Sequence, residues 1–392
     1  MNNIKTILTG LSGTKANRRV VLLLACGLVL SVIGAILNIT YFLLIWLTAF
    51  YFFFTIATGT LFILLIHHII GIEWIAPLRR ILENVAISTI YLALLFIPIL
   101  IGNSLIYAWE LSNPLFNQYL FIGVSIVCLC LLGFIALRLR RLSIAQDKGA
   151  VVDAKLKKTS IVGIFIYAIC GTFVAYYWIM GLDYPWFSGI FGLYHFSAAV
   201  QSAFAFIYIL TLLYTMRGDL KNVVGSNQWR NLPLLILTFT LIHAYTSYSQ
   251  YMLILSADLP TETTWYEIRL IDNTKILWYL IFLLRLFIPF VLLLRGKFRA
   301  NQRLMLAVSL SIVLGHLIEM YMNIVPSMIL QISIFTQICA LVGVFMFFSA
   351  VIWLIIQSYM KSASLYPLQL PAREEPIISP ISGGDIYENL RK

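Results

Sequence analysis

"LSIVLGHLIEMYMNIVP", residues 310–326, reads as an apolar helix carrying two ionisable side chains, His316 and Glu319. Residues seven apart on a helix lie within ~20° of each other. Ser309, His316, Glu319 and Asn323 therefore share one face and cover ~21 Å of its length. A hydrocarbon core is ~30 Å thick, and a charged group at its centre costs ~3 kcal/mol or more. Such a face must look into protein. The stretch predicts a helix packed in a membrane bundle, with its polar stripe inward.

The rest of the chain agrees with that environment. Of 392 residues, 61% are hydrophobic and 11% charged, with a mean hydropathy of +0.92. A soluble domain carries roughly a quarter charged residues. The expected fold is all-α and polytopic, with ten apolar spans at about 20–41, 43–70, 81–104, 118–138, 160–181, 187–216, 231–257, 275–295, 303–325 and 328–360. The net charge of +11 does not imply a nucleic-acid partner, because the basic residues are sorted between the membrane faces. Of 27 Lys and Arg, 24 fall at the termini or in the loops after spans two, four, six and eight. Arg269 and Lys275 lie on the other side, and Arg285 alone lies inside a span. The positive-inside rule then puts both termini in the cytoplasm. The leading basic segment runs straight into a full-length span, which is not a cleavable-signal pattern.

Spans two and six are long and aromatic, run in the same direction, and each opens a set of four. The expected organisation is a cytoplasmic amino terminus with peripheral helix 1 (1–42), then a first four-helix bundle (43–140, completed by helix 5 at 160–181). A basic loop (141–159), a second four-helix bundle (187–325), helix 10 (328–360) and a flexible cytoplasmic tail (361–392) follow. Faint likeness between "FYFFFTIATGTLFILL" and "LYHFSAAVQSAFAFIYIL" fits a parallel repeat. The outer loop "SADLPTETTWYEIRLIDNTK" is acidic on balance, and reads either as a partner-docking segment or as a solvated loop. The five cysteines all fall in apolar spans without metal or haem spacing.

Polar residues recur at one depth of the second bundle. Counted inward from the outer helix ends, Glu319 lies ~9 Å deep, Gln250 ~10 Å, His195 ~12 Å, His316 ~13 Å and Arg285 ~15 Å. His243, at ~21 Å, would extend the set inward, and Ser309 continues the stripe of span nine. Pairing of Arg285 with Glu319 on the next helix is sterically easy. Three chemistries use such groups: proton transfer by His and Glu, quinone binding near aromatic rings, and haem ligation by facing histidines. A purely structural cluster that fixes helix packing is the plain alternative. Spans two to five hold no ionisable group at mid-depth, since Glu83 and Glu110 sit near helix ends. His67 and His68, beside Trp74 and Arg79–Arg80, read as interfacial anchors.

Four stretches bring a family into view. "FFFTIATGTLFILLIHHIIGIEWIAPLRRILENVA" (52–86), "DYPWFSGIFGLYHFSAAVQSAFAF" (183–206), "YTSYSQYMLILSADLPTETTWY" (245–266) and "IPFVLLLRGKFRANQRLMLAVSLSIVLGHLIEMYMNIVP" (288–326) resemble, in order, the ActF-type membrane subunit of bacterial alternative complex III. The resemblance implies an NrfD-like fold: two four-helix bundles, each flanked by one extra helix. It also implies a respiratory quinol:cytochrome c (or oxidase) oxidoreductase in the bacterial cytoplasmic membrane. The implied partners are a larger NrfD-like sister subunit, an iron–sulfur subunit, multihaem and monohaem cytochromes c, and a terminal oxidase as acceptor. Haem c and iron–sulfur clusters would sit on those partners, and this chain would bind no redox cofactor, with quinol its only candidate ligand. In that family such a subunit is not catalytic alone and is proposed to help move protons. Its His-X-X-Asp/Glu pair falls on His316 and Glu319.

The expected proton path comprises His195, His243, Gln250, Arg285, Ser309, His316 and Glu319, with no catalytic or metal-ligating residue. Two rivals remain at this stage. One is a quinone pocket near the outer face involving His195 and Gln250. The other is a secondary transporter; the lack of a half-helix break by Gly or Pro at corresponding positions of both halves counts against it.

Overall fold

The computed structural model describes residues 15–109, 115–220, 223–271, 274–328, 330 and 332–364. Glu110, most of the carboxy-terminal tail and the first fourteen residues lie outside that set. The described chain is helical throughout, with no strand among the described residues. Eight helices are long and apolar enough to cross a membrane, or nine if one bent pair is a single span. This is a multi-pass membrane protein.

The elements are α1 (Lys15–Leu37), α2 (Ile39–Ile70), α3 (Arg79–Ala86), α4 (Ser88–Leu95), α5 (Ile97–Ile106), α6 (Gln118–Asp147) and α7 (Asp153–Val174). There follow α8 (Phe191–Met216), α9 (Ser226–Ala257), α10 (Pro260–Arg269), α11 (Thr274–Ile281), α12 (Ile288–Leu294), α13 (Gly296–Arg299), α14 (Gln302–Ile324) and α15 (Ile334–Lys361). The 32-residue α9 carries His243 and Gln250 and is more polar than the eight.

The centre is α2 against α8. In their most apolar windows 83% and 78% of residues are buried, against 17% for α1. At their crossing, a Cβ on Gly59 would come within 2.7 Å of the Ala199 carbonyl carbon, so only glycine admits this approach. Around this pair, α7 packs on α2, α9 and α14 pack on α8, α14 also touches α2, and α15 packs on α1 and α2. Exposed apolar side chains such as Ile36, Ile101, Phe165 and Leu253 cover the outside. Water would reject that surface, whereas acyl chains accept it.

Four elements differ from the sequence expectation. The span at 81–104 is not one rod: α3–α4 and α5 meet at a bend of 55°. Pro98 causes it, because it has no N–H for the preceding turn and its ring clashes there. At the bend the Ile99 N–H turns to the Phe96 carbonyl, and the Leu95 carbonyl it leaves accepts from the Trp46 indole at 2.7 Å. The basic loop 141–159 shrinks to residues 148–152, because α6 and α7 extend through the flanking charged residues. Their long side chains can reach water while the backbone keeps its helical bonds. Half of the outer segment 256–275 is the helix α10, whose Trp265, Tyr266 and Arg269 pack back onto the protein. Finally, π-helical turns follow α7 at Ala175–Ile179 and join α11 to α12 at Phe282–Phe287.

The end of the molecule carrying Arg79, Arg80 and Arg138–Arg141 is called the basic end below. There Glu83, 1% exposed, lies 2.8 Å from Arg80 and 3.5 Å from Arg79. Arg80 also pairs with Asp147 of α6. Arg140 of α6 bonds Asn84 and reaches the Tyr359 carbonyl and Ser362 hydroxyl of the last helix, its guanidinium 4.7 Å from the Tyr359 ring centre. This network ties α3, α6 and α15 together.

Candidate functional site

The site lies between α8, α9, the helix running from α11 to α12, and α14, and Glu319 is its centre. The Glu319 carboxylate forms an ion pair with Arg285 and accepts a hydrogen bond from the Tyr194 hydroxyl. His243 Nε2 lies 3.1 Å from its Oε1, and His316 Nδ1 lies 3.8 Å from Oε2. All five residues are at most 4% exposed. A carboxylate this deep persists because an opposite charge and hydrogen-bond donors replace water around it.

Arg285 reaches the centre through local backbone chemistry. It sits in the π-helical turn, a distortion often found at functional positions. Pro289 has no N–H to offer the Arg285 carbonyl four residues before it. Gln201 donates to that carbonyl at 3.0 Å, while its own Oε1 accepts from Arg285 Nη2 at 2.6 Å and Nε at 3.0 Å. Arg285 Nη2 further meets the Ala198 carbonyl at 3.1 Å and Ser202 at 3.3 Å. Opposite, Gly315 makes room: a Cβ there would lie 2.5 Å from Arg285 Cγ. Gly315 thus belongs to the site by what it lacks.

Two hydrogen-bonded branches leave the centre. His316 Nε2 lies 2.8 Å from the Thr55 hydroxyl of α2, and its Nδ1 lies 3.3 Å from Arg285 Nη1. His243 Nδ1 lies 3.1 Å from Ser197, which meets Thr246 at 2.9 Å. Four sequence candidates therefore come together: His243, Arg285, His316 and Glu319. The other three do not join them directly. His195 packs edge-on against Tyr51, Phe191 and Tyr194, and neither ring nitrogen has a hydrogen-bond partner among the described residues. The Gln250 amide faces the Tyr266 hydroxyl, and its Oε1 has no partner among the described residues. The Ser309 hydroxyl is buried and has no partner among the described residues.

A cavity of about 320 Å³ adjoins the cluster between α2, α7 and α8. Tyr51, Phe54, Tyr167 and Phe196 form much of its wall, with His195 and Thr55 as polar groups. Ala168, Thr172 and Leu193, all exposed, line its mouth on the apolar outside of the molecule. Thr55 thus joins the cavity to His316.

Away from the basic end, a second ion pair closes the site. Arg269 of α10 donates to Asp183 at 2.7 Å, to the Met322 carbonyl at 2.9 Å and to the Asn323 carbonyl at 3.1 Å. The Trp265 indole donates to the same Asp183 oxygen at 3.1 Å. Burial pushes the Arg269 guanidinium below its ordinary range, and the Asp183 carboxylate draws it back up. The Tyr266 hydroxyl is pushed above its ordinary range by burial, against the Gln250 hydrogen bond.

Sequence reasoning left out Tyr194, Gln201, Thr55 and the Asp183–Arg269 pair. Tyr194 and Gln201 lie seven residues apart on one face of the 187–216 helix, a spacing that a full helical wheel brings out. Asp183 is an acid directly after an apolar span, and Arg269 is one of two basic residues on its side. For Thr55 there was no signal, because threonine inside an apolar helix ordinarily bonds its own backbone. Here it does so as well, to the Tyr51 carbonyl at 2.9 Å.

Among known proteins, no family model matches this chain, and no curated protein matches it either.

Proposed function

We propose that the chain is an integral subunit of a bacterial respiratory quinol:cytochrome c (or oxidase) oxidoreductase, in which the Glu319 cluster carries protons. One observation carries the proton-handling part: a buried carboxylate touching an arginine, a tyrosine and two imidazoles at membrane depth. Intramembrane acids and histidines arranged in chains are the usual means of moving protons through a bundle. Placement in the respiratory complex rests on the four resembling stretches. The partners would be the larger sister subunit, the iron–sulfur subunit and the cytochromes c, which would hold the redox centres.

The full topology belongs to the same proposal. Ten spans follow if the bent α3–α5 and the 32-residue α9 each cross once. The sorting of basic residues supports cytoplasmic termini and a basic end on the cytoplasmic face. Arg285 would favour the charged form of Glu319, and His243 and His316 would exchange its proton with the two branches. In membrane vesicles holding the whole complex, Glu319→Gln should leave quinol oxidation near the wild-type rate. Protons released per electron should fall. An unchanged ratio would remove Glu319 from the path, and isolation of the chain without haem proteins would remove it from the complex.

A second reading has its own support, the cavity beside His195. Its volume suits a ring-sized ligand, its mouth faces acyl chains, and aromatic walls with one unpartnered imidazole match a quinone headgroup. An azido-quinone should then label peptides of α7 and α8 in native membranes. Ala168→Phe, which narrows the mouth, should abolish most of that labelling, and undiminished labelling would exclude the cavity as the site.

A further inference from the structure

Thr55, Thr58 and Thr172 all line the cavity between α2, α7 and α8. A hydroxyl has one hydrogen to give, and each of these threonines spends it on its own helix. Thr58 donates to the Phe54 carbonyl at 2.8 Å, and Thr172 to the Ala168 carbonyl at 2.9 Å. At Thr55 the assignment is fixed from the far side. A guanidinium donates and never accepts, so Arg285 Nη1 is the donor to His316 Nδ1 at 3.3 Å. With Nδ1 accepting, the ring is neutral and its hydrogen sits on Nε2. That N–H donates to the Thr55 hydroxyl at 2.8 Å. Thr55 in turn directs its hydrogen to the Tyr51 and Phe52 carbonyls, each at 2.9 Å. What Thr55 can still offer a ligand is one oxygen lone pair.

His195 is less constrained. It is 3% exposed, and neither ring nitrogen has a hydrogen-bond partner among the described residues. A neutral imidazole carries one donor and one acceptor, so it can hold either a hydroxyl or a carbonyl. Thr55 can hold only a donor. We propose that the cavity takes its ring-shaped ligand in the hydroxyl form, a quinol in preference to the matching quinone, and that Thr55 makes the distinction. A quinol hydroxyl donates to the Thr55 oxygen. A quinone carbonyl in its place sets two acceptors against each other, on a wall whose opening faces the apolar outside, and leaves both unpaired. The Glu319 cluster imposes this polarity from a distance: Glu319 holds Arg285, Arg285 fixes the His316 tautomer, and His316 occupies one side of Thr55. The inference rests on the reading of the cavity as a quinone site. It adds which redox form binds there and which residue selects it.

The test is equilibrium binding to the purified full chain in lipid nanodiscs, with binding to empty nanodiscs subtracted. The probes are a short-tailed benzoquinol, kept anaerobic, and its benzoquinone. The quinol should bind at least about tenfold more tightly, since a site that accepts from a hydroxyl rejects the analogue lacking one. A redox titration should then place the midpoint of the bound probe at least about 30 mV above its midpoint in empty nanodiscs, the equivalent of that ratio for two electrons. Thr55→Val keeps the side-chain shape and removes the oxygen. It should weaken the quinol until the ratio falls below about threefold, with the quinone affinity little changed. Thr55→Ala serves the same purpose should the valine variant not fold, and Thr55→Ser should keep the preference. Equal affinities in the wild-type chain, a tighter quinone, or a preference that survives loss of the Thr55 oxygen overturns the proposal. Binding of neither form, or binding of both undiminished in Ala168→Phe, defeats the cavity reading instead, so the two failures are told apart.

Discussion

Arg285→Met should destabilise the detergent-solubilised chain by about 3–5 kcal/mol, read as a large fall in its thermal unfolding midpoint. The loss would come from Glu319 rather than from arginine packing. With Arg285 gone, the carboxylate keeps Tyr194 and His243 but has no counter-charge in a place water does not reach. The pair itself contributes little net stability, since desolvating two ions offsets most of their attraction. That asymmetry supplies the sharper experiment. Arg285→Met combined with Glu319→Gln should recover most of the lost midpoint, because no uncompensated charge remains. A double variant as unstable as the single one would mean that Arg285 acts through its bonds to Gln201, Ser202 and the Ala198 carbonyl instead.

Glu83→Leu should cost a comparable ~3–5 kcal/mol at the other end of the molecule. Glu83 faces Arg79 and Arg80 directly, and the charge of Arg140 acts on it as well. Its loss leaves Arg80 with Asp147 alone and Arg79 with the neutral Gln146. Because the network joins α3, α6 and α15, damage should appear as early loosening of the basic end. Proteolysis near the 148–152 connection should therefore quicken before global unfolding. Equal cleavage rates in Glu83→Leu and wild type would show that the other ties of α6 suffice. The two clusters are chemically alike, yet only the Glu319 cluster combines its carboxylate with two imidazoles and a tyrosine. That difference separates a structural ion-pair network from one able to pass protons.

How far the site was legible in the sequence follows from periodicity. The stripe of Ser309, His316, Glu319 and Asn323 could be read because a helix repeats regularly, and common depth followed from the rise per residue. Depth alone cannot rotate one helix about its axis relative to another, so it grouped His195 and Gln250 with the cluster. The structure instead turns His195 toward the cavity and Gln250 toward Tyr266. Arg285 stands out in the sequence as the one Lys or Arg inside a span. Its inward aim, however, depends on the π-helical turn and on the space left by Gly315, neither of which has a local signature.

Composition by itself determined that the chain is helical and belongs in a membrane. The reason is that backbone polar groups in hydrocarbon must be satisfied within each segment, so long apolar runs become helices whatever their neighbours. Tertiary packing decided what the side chains do: which of the buried polar groups meet Glu319, which face a cavity, and how α10 folds back so that Arg269 finds Asp183. Those choices are made by contacts between residues far apart in the chain, and a regular helical repeat carries no record of them.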